Sequence, residues 1–215
     1  MRVRTATHAV CRRRFSLSAS PWRLATVLLT ALLLSACGGS SDDSDADLID
    51  AFAVLGQSGF TGALPNRGGS AGAATLAQPL GNIAVAGDRL FIADTANNRV
   101  LGYRNLPSEN GAAADFVLGQ VDFTATTGGT AVDRMALPAS AYVGEGRLVV
   151  ADSGNNRVLV WNDVPTESGT PPDVVVGQTD FNGGTSGTTA STLRYPTSAI
   201  ISNGRLVVAD QNNNR

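Results

Sequence analysis

From residue 84 onward, short apolar runs alternate with turn-forming clusters at a fixed interval. Arg89-Leu-Phe-Ile-Ala-Asp94 returns as Arg147-Leu-Val-Val-Ala-Asp152 and as Arg205-Leu-Val-Val-Ala-Asp210, each step being 58 residues. Every copy leads into an asparagine pair and an arginine: Asn97-Asn98-Arg99, Asn155-Asn156-Arg157 and Asn213-Asn214-Arg215. Val-Leu-Gly-Gln at 117–120 recurs as Val-Val-Gly-Gln at 175–178 and is anticipated by Val54-Leu55-Gly56-Gln57. So many markers in register define a tandem repeat.

Each unit reads as four strands. The first follows Pro79, Pro138 or Pro196 and ends at a tight turn, Gly87-Asp88, Glu145-Gly146 or Asn203-Gly204. The second is the apolar run ending in aspartate. Its lack of polar alternation predicts burial on both faces. Arg99 to Tyr103 and Arg157 to Trp161 form the third, and Phe116 to Gln120 and Val174 to Gln178 the fourth.

Four-stranded units that cannot bury their faces alone predict an all-β fold, a β-propeller of stacked blades. The motifs resemble those of the NHL-repeat family of β-propellers, whose pattern runs proline, short strand, G-R-L-hydrophobic-V-A-D, a short turn and N-x-R-V. Pro138, Arg147 to Asp152 and Asn155 to Val158 fall on that pattern, and the resemblance covers 51–215. The period departs from it, at 58 residues against about 40–45 for typical propeller repeats. The surplus lies in Gly/Thr-rich connections such as 124–130 and 182–189. These are expected to be either solvated spacers or a binding surface. A partial ring is expected: 51–57 as a lone outer strand, blades at 79–120 and 138–178, and a truncated blade at 196–215. A six-bladed ring at this period takes about 350 residues, so the chain is expected to be a fragment of a longer frame.

The N-terminus reads as an address. Residues 1–23 are basic without an acid, Leu24 to Leu34 is apolar, and Ser35-Ala36-Cys37 follows. That order predicts a secretory signal at 1–36. Eleven helical residues reach about 16 Å, too short to cross a ~30 Å hydrocarbon core. Leu34-Ser35-Ala36-Cys37 resembles the lipobox of bacterial lipoproteins. The resemblance implies that Cys37 is diacylated, becomes the new N-terminus and anchors the chain to the membrane. Residues 38–50 then form a disordered acidic tether. Gly38 stands where that family places aspartate for inner-membrane retention, which implies the outer membrane of the cell envelope. Arg12-Arg13-Arg14-Phe15 partly resembles a twin-arginine export motif, with Ser16 in place of its leucine. It fits that route or general basic character.

Charge and composition narrow the function. All 16 basic residues are arginine, and six precede residue 24, whereas all 18 acids follow residue 41. Without residues 1–36 the formal charge is −8, which argues against nucleic acid as a partner. The lone histidine, His8, and the second cysteine, Cys11, lie in the leader, and there is no lysine. Zinc sites of His/Cys type, Ser-His-Asp and Cys-His catalysis and Schiff-base chemistry are excluded beyond it. Asp43, Asp45 and Asp47 imitate the start of a calcium loop, but Leu48 and Val54 break the pattern. No catalytic residue, metal or cofactor is expected.

The repeated polar set is Asp94, Asn98 and Arg99, then Asp152, Asn156 and Arg157, then Asp210, Asn214 and Arg215. Carboxylates in a ring could bind a cation. Repetition in every unit instead favours a structural role: aspartate capping a turn, asparagine in left-handed geometry, arginine pairing back onto the blade. At a partly buried corner, loss of either charge is expected to cost about 1–3 kcal/mol. The expected function is a non-catalytic binding scaffold at the membrane, taking a protein, glycan or cell-wall ligand on its loop face. The alternative is a propeller enzyme of the lyase or lactone-hydrolase type, with its catalytic or metal residues in blades outside this chain.

Overall fold

The computed structural model describes residues 51–215. The expected leader at 1–36, lipid attachment at Cys37 and tether at 38–50 lie outside the described residues. Among those described there is no α-helix. Ten strands form three antiparallel sheets. The first holds β1 (Ala84–Ala86), β2 (Arg89–Asp94), β3 (Arg99–Tyr103) and β4 (Phe116–Leu118) in sequential order. The second repeats it with β5 (Pro138–Gly144), β6 (Arg147–Asp152), β7 (Arg157–Trp161) and β8 (Val174–Val176). The third consists of β9 (Pro196–Ser202) and β10 (Arg205–Asp210).

Short connections join the first three strands in sequence. The Gly87, Gly146 and Gly204 turns sit at positive φ and close the first hairpins. A 3₁₀ turn of three residues joins each second strand to the next element and ends on Asn98, Asn156 or Asn214, all left-handed at φ 53–56°. Asparagine tolerates that geometry better than most side chains.

The sheets stack face to face, and register decides which residues meet. Phe91, Val100 and Phe116 of the first sheet pack on Ala141, Leu148, Val150 and Trp161 of the second. Val149 and Val158 on the opposite face of the second pack on Ala199, Ile201, Leu206 and Val208 of the third. β6 is therefore buried along both faces, and so is β2, whose outer face with Leu90 and Ile92 is covered by Leu55 and Leu76 of the preceding segment; the unbroken apolar runs predict both. β10 has the same sequence as β6 but alternates between exposed and half-buried positions up to Asp210, because only one of its faces meets a neighbour.

Three elements differ from expectation. The fourth strands stop at Leu118 and Val176, before the Gly-Gln pairs, where Gly119 and Gly177 turn the backbone to positive φ. β1 begins only at Ala84, because Gly81 adopts φ +69° and lies tight on the Ala139 carbonyl, breaking the extended run after Pro79. Residues 51–57 join no sheet, yet they dock as a fourth strand would. Val54 accepts from Gly111 N (2.7 Å) and donates to Asn110 Oδ1 (2.9 Å). One repeat later, Val117 of β4 accepts from Gly169 N (3.1 Å) and donates to Ser168 Oγ (3.0 Å).

Candidate functional site

The repeated Asp–Asn–Arg set is the most developed polar constellation among the described residues. Asp152 and Arg157 are opposite one another on β6 and β7, at the last register pair before the 3₁₀ turn. That pairing brings Arg157 Nε to 2.7 Å from Asp152 Oδ2, with both side chains fully buried. Asp94 and Arg99 repeat the geometry at 2.7 Å, and Asp210 and Arg215 at 2.8 Å, there with Arg215 42% exposed.

Most of the remaining bonds of each set run to backbone. Asp152 Oδ1 accepts from Ala136 N (2.7 Å) and Oδ2 from Asn155 Nδ2 (2.8 Å). Arg157 donates to the carbonyls of Thr130, Arg134 and Phe181. Asp94 takes Ala77 N, and Arg99 holds the carbonyls of Gly72, Thr75 and Phe123. Asp210 takes Arg194 N, and Arg215 holds Thr188, Thr189 and Thr192. Each pair thus grips the segment leading into its own sheet.

Asn98 and Asn156 reach the other way. Asn98 Nδ2 donates to Thr126 O (2.8 Å) and its Oδ1 accepts from Leu137 N (2.7 Å). Asn156 does the same with Gly184 O and Tyr195 N. Both partners, Leu137 and Tyr195, precede a proline and hold left-handed backbone at φ 48° and 52°, a costly combination that the asparagine bond helps secure. The Gly/Thr-rich connections are accordingly not free loops. They are fastened by the sheet before them and by the sheet after them.

The aspartate's expected turn-capping is not what forms: Asp94, Asp152 and Asp210 make no side-chain cap on the 3₁₀ turns that follow them. Their oxygens are taken by the entering segment, by arginine and by the first asparagine of each pair. Asn97, Asn155 and Asn213 are therefore working members of the set. So are Gln120 and Gln178, which bridge Asn98 O to Thr127 O and Asn156 O to Thr185 O. Thr95 and Ser153 complete it by donating to the Pro138 and Pro196 carbonyls of the next sheet. Recurrence at the repeat interval marked the glutamines in the sequence. Their bonds depend on loop paths that it does not reveal.

Electrostatics follow from burial. Desolvation pushes the Asp152 carboxyl up, opposed by the Arg157 charge and by hydrogen bonds from Ala136, Asn155 and Arg157. At Asp210 burial also raises it, but the bonds from Arg194, Asn213 and Arg215 together outweigh it and leave the carboxyl below its usual range. The third sheet lacks the cover that the second enjoys, so less desolvation opposes its donors. With every aspartate oxygen engaged by protein donors, the geometry offers a cation no open ligand at these positions. Among the described residues no three His, Cys, Asp or Glu side chains group closely enough to hold a metal ion.

Tyr103, on β3, has its phenol pushed up to about 12, first by burial and then by the nearby Asp94 carboxylate. A free phenol titrates near pH ~10. The neutral form favoured by the fold thus contributes stability that is complete below about pH 10 and is lost as pH rises towards 12. Denaturant midpoints are expected to fall across that window, and Tyr103→Phe to remove part of the fall. An unchanged slope in the variant would assign the alkaline sensitivity to other groups.

Comparison with family models and with curated proteins finds no match to this chain.

Proposed function

We propose that the chain is an exported lipoprotein, anchored through Cys37, whose 51–215 region is an NHL-like β-propeller segment serving as a non-catalytic binding scaffold. The observation that carries the architecture is the repeated face-to-face stacking of antiparallel four-stranded units. The docking of 51–57 against the first sheet, with the bonds β4 makes to the second, supports it. The anchor rests on Leu34-Ser35-Ala36-Cys37 and the acidic tether behind it. Two acyl chains hold a protein stably where one does so marginally, at ~0.8 kcal/mol per buried CH₂. Gly38 after the cysteine favours the outer membrane.

In this reading the repeated charges serve the fold, and recognition falls to exposed side chains of the connections, such as Thr124–Thr130. Those connections are backbone-clamped, so they present a protein, glycan or cell-wall ligand with a preformed surface, which lowers the ordering cost of binding.

Metabolic labelling with a palmitate analogue tests the anchor. The full chain is expected to take up label and fractionate with membranes, and Cys37→Ala to lose both. Membrane association that survives in an unlabelled Cys37→Ala chain would overturn the assignment.

A further inference from the structure

Asparagine followed by glycine is chemically labile. The glycine amide nitrogen, unshielded by a side chain and free to rotate, can close on the asparagine side-chain carbon and expel ammonia. The sequence carries three such pairs, Asn110-Gly111, Asn182-Gly183 and Asn203-Gly204, and their surroundings differ. At the first, Gly111 N donates to Val54 O (2.7 Å) and Asn110 Oδ1 accepts from Val54 N (2.9 Å), so nucleophile and electrophile are both held. At the third, Gly204 N donates to the Glu145 carboxylate (3.1 and 3.2 Å), whose negative charge opposes loss of the amide proton. Asn203 and Gly204 are also fixed at φ 51° and 68° between the paired Ser202 and Arg205. The second pair lacks both kinds of restraint. Asn182 is exposed, and its side-chain amide has no hydrogen-bond partner among the described residues. Gly183 N is held only by a long bond of 3.3 Å to Asp180 O.

We infer that Asn182 is a site of spontaneous deamidation in the folded chain. Gly183 N loses its proton and bonds to Asn182 Cγ. The Cγ–Nδ2 bond breaks, and the side-chain nitrogen takes up that proton and leaves as ammonia. Water then adds across the cyclic imide: opening one side gives aspartate, and opening the other gives isoaspartate. Water is the only co-reactant. The product places a new carboxylate two residues from Asp180, so the uncharged connection 182–189 gains a negative charge. The isoaspartyl form also adds a methylene to a stretch of backbone that Arg157 holds at the Phe181 carbonyl and Asn156 holds at Gly184 O (2.8 Å). Thr61 and Thr124 stand at the same position in the other repeats, four residues after Gln57 and Gln120, and neither can react this way. The site is independent of the lipid anchor and of any ligand.

The test incubates the detergent-solubilised full chain in mildly alkaline buffer and reads its tryptic peptides by mass spectrometry. The three pairs fall on separate peptides, 105–134, 158–194 and 195–205. Amide-to-acid conversion is expected in 158–194 at about ten times the rate of the other two, the factor that ~1.4 kcal/mol of extra barrier imposes. Asn182→Thr installs the side chain found at Thr124, and is expected to melt like the parent and to abolish conversion in that peptide. In chain unfolded by urea the three pairs are expected to convert at similar rates, because the restraints at Asn110 and Asn203 are gone. Equal rates at all three pairs in the folded chain, or a slower rate at Asn182 than at either other pair, would overturn the inference. So would conversion in 158–194 that survives Asn182→Thr.

Discussion

Asp152→Ala and Arg157→Ala are each expected to destabilise the fold by about 3–5 kcal/mol, the range for stripping one partner from a buried ion pair. That exceeds the ~1–3 kcal/mol appropriate to a partly buried corner, because both side chains are fully buried. At roughly 2–4 °C per kcal/mol for a domain of this size, melting should fall by roughly 6–20 °C. Asp152→Ala strands a guanidinium and frees Ala136 N. Arg157→Ala strands a carboxylate whose desolvation already pushes it up. The second variant should therefore recover stability as pH falls and the carboxyl takes a proton, whereas the first should not.

The double variant should lose less than the sum of the two, since removing both charges leaves neither stranded. Thr126→Ala and Thr127→Ala serve as controls. Their backbone carbonyls, not their side chains, accept the bonds from Asn98 and Gln120, so their melting should stay near that of the parent. Asp152 and Arg157 variants that melt like the parent but lose a bound ion or partner would make the motif a site and not a clamp.

Trp161→Ala is expected to cost about 3–5 kcal/mol through the cavity it leaves. Trp161 lies at the end of β7, 1% exposed, in the core shared by the first and second sheets. Its Nε1 donates to Thr170 O at 2.9 Å, tying the outer connection to the sheet. The loss should appear as a lower denaturant midpoint and as earlier proteolysis between the two sheets. Trp161→Phe keeps most of the apolar volume but drops the indole bond, and should fall between the two. If Trp161→Ala left the midpoint unchanged, the packing of the second sheet on the first could not rest on this core.

The strands were largely legible in the sequence because their signals are local. β6 and β7 fall on the apolar runs Arg147–Asp152 and Arg157–Trp161, and the Asn-Gly and Glu-Gly turns mark where hairpins close. The 58-residue interval announced that any contact made once would be made again. The pairing of Asp152 with Arg157 was legible too, since two residues flanking a four-residue connection between antiparallel strands face each other.

Tertiary structure alone decided three things. It set the depth of the ion pairs, because burial depends on the sheet packed over them: Asp152 and Asp210 share a motif but differ in pKa direction. It set the paths of the Gly/Thr-rich connections, whose sequences are permissive and whose course is imposed by donors from Asn98, Gln120 and Arg157. And it determined that β10, identical in sequence to β6, is half open where β6 is enclosed. A strand's sequence encodes which side chains fall on each face. What covers those faces is settled only by the neighbours that stack against them.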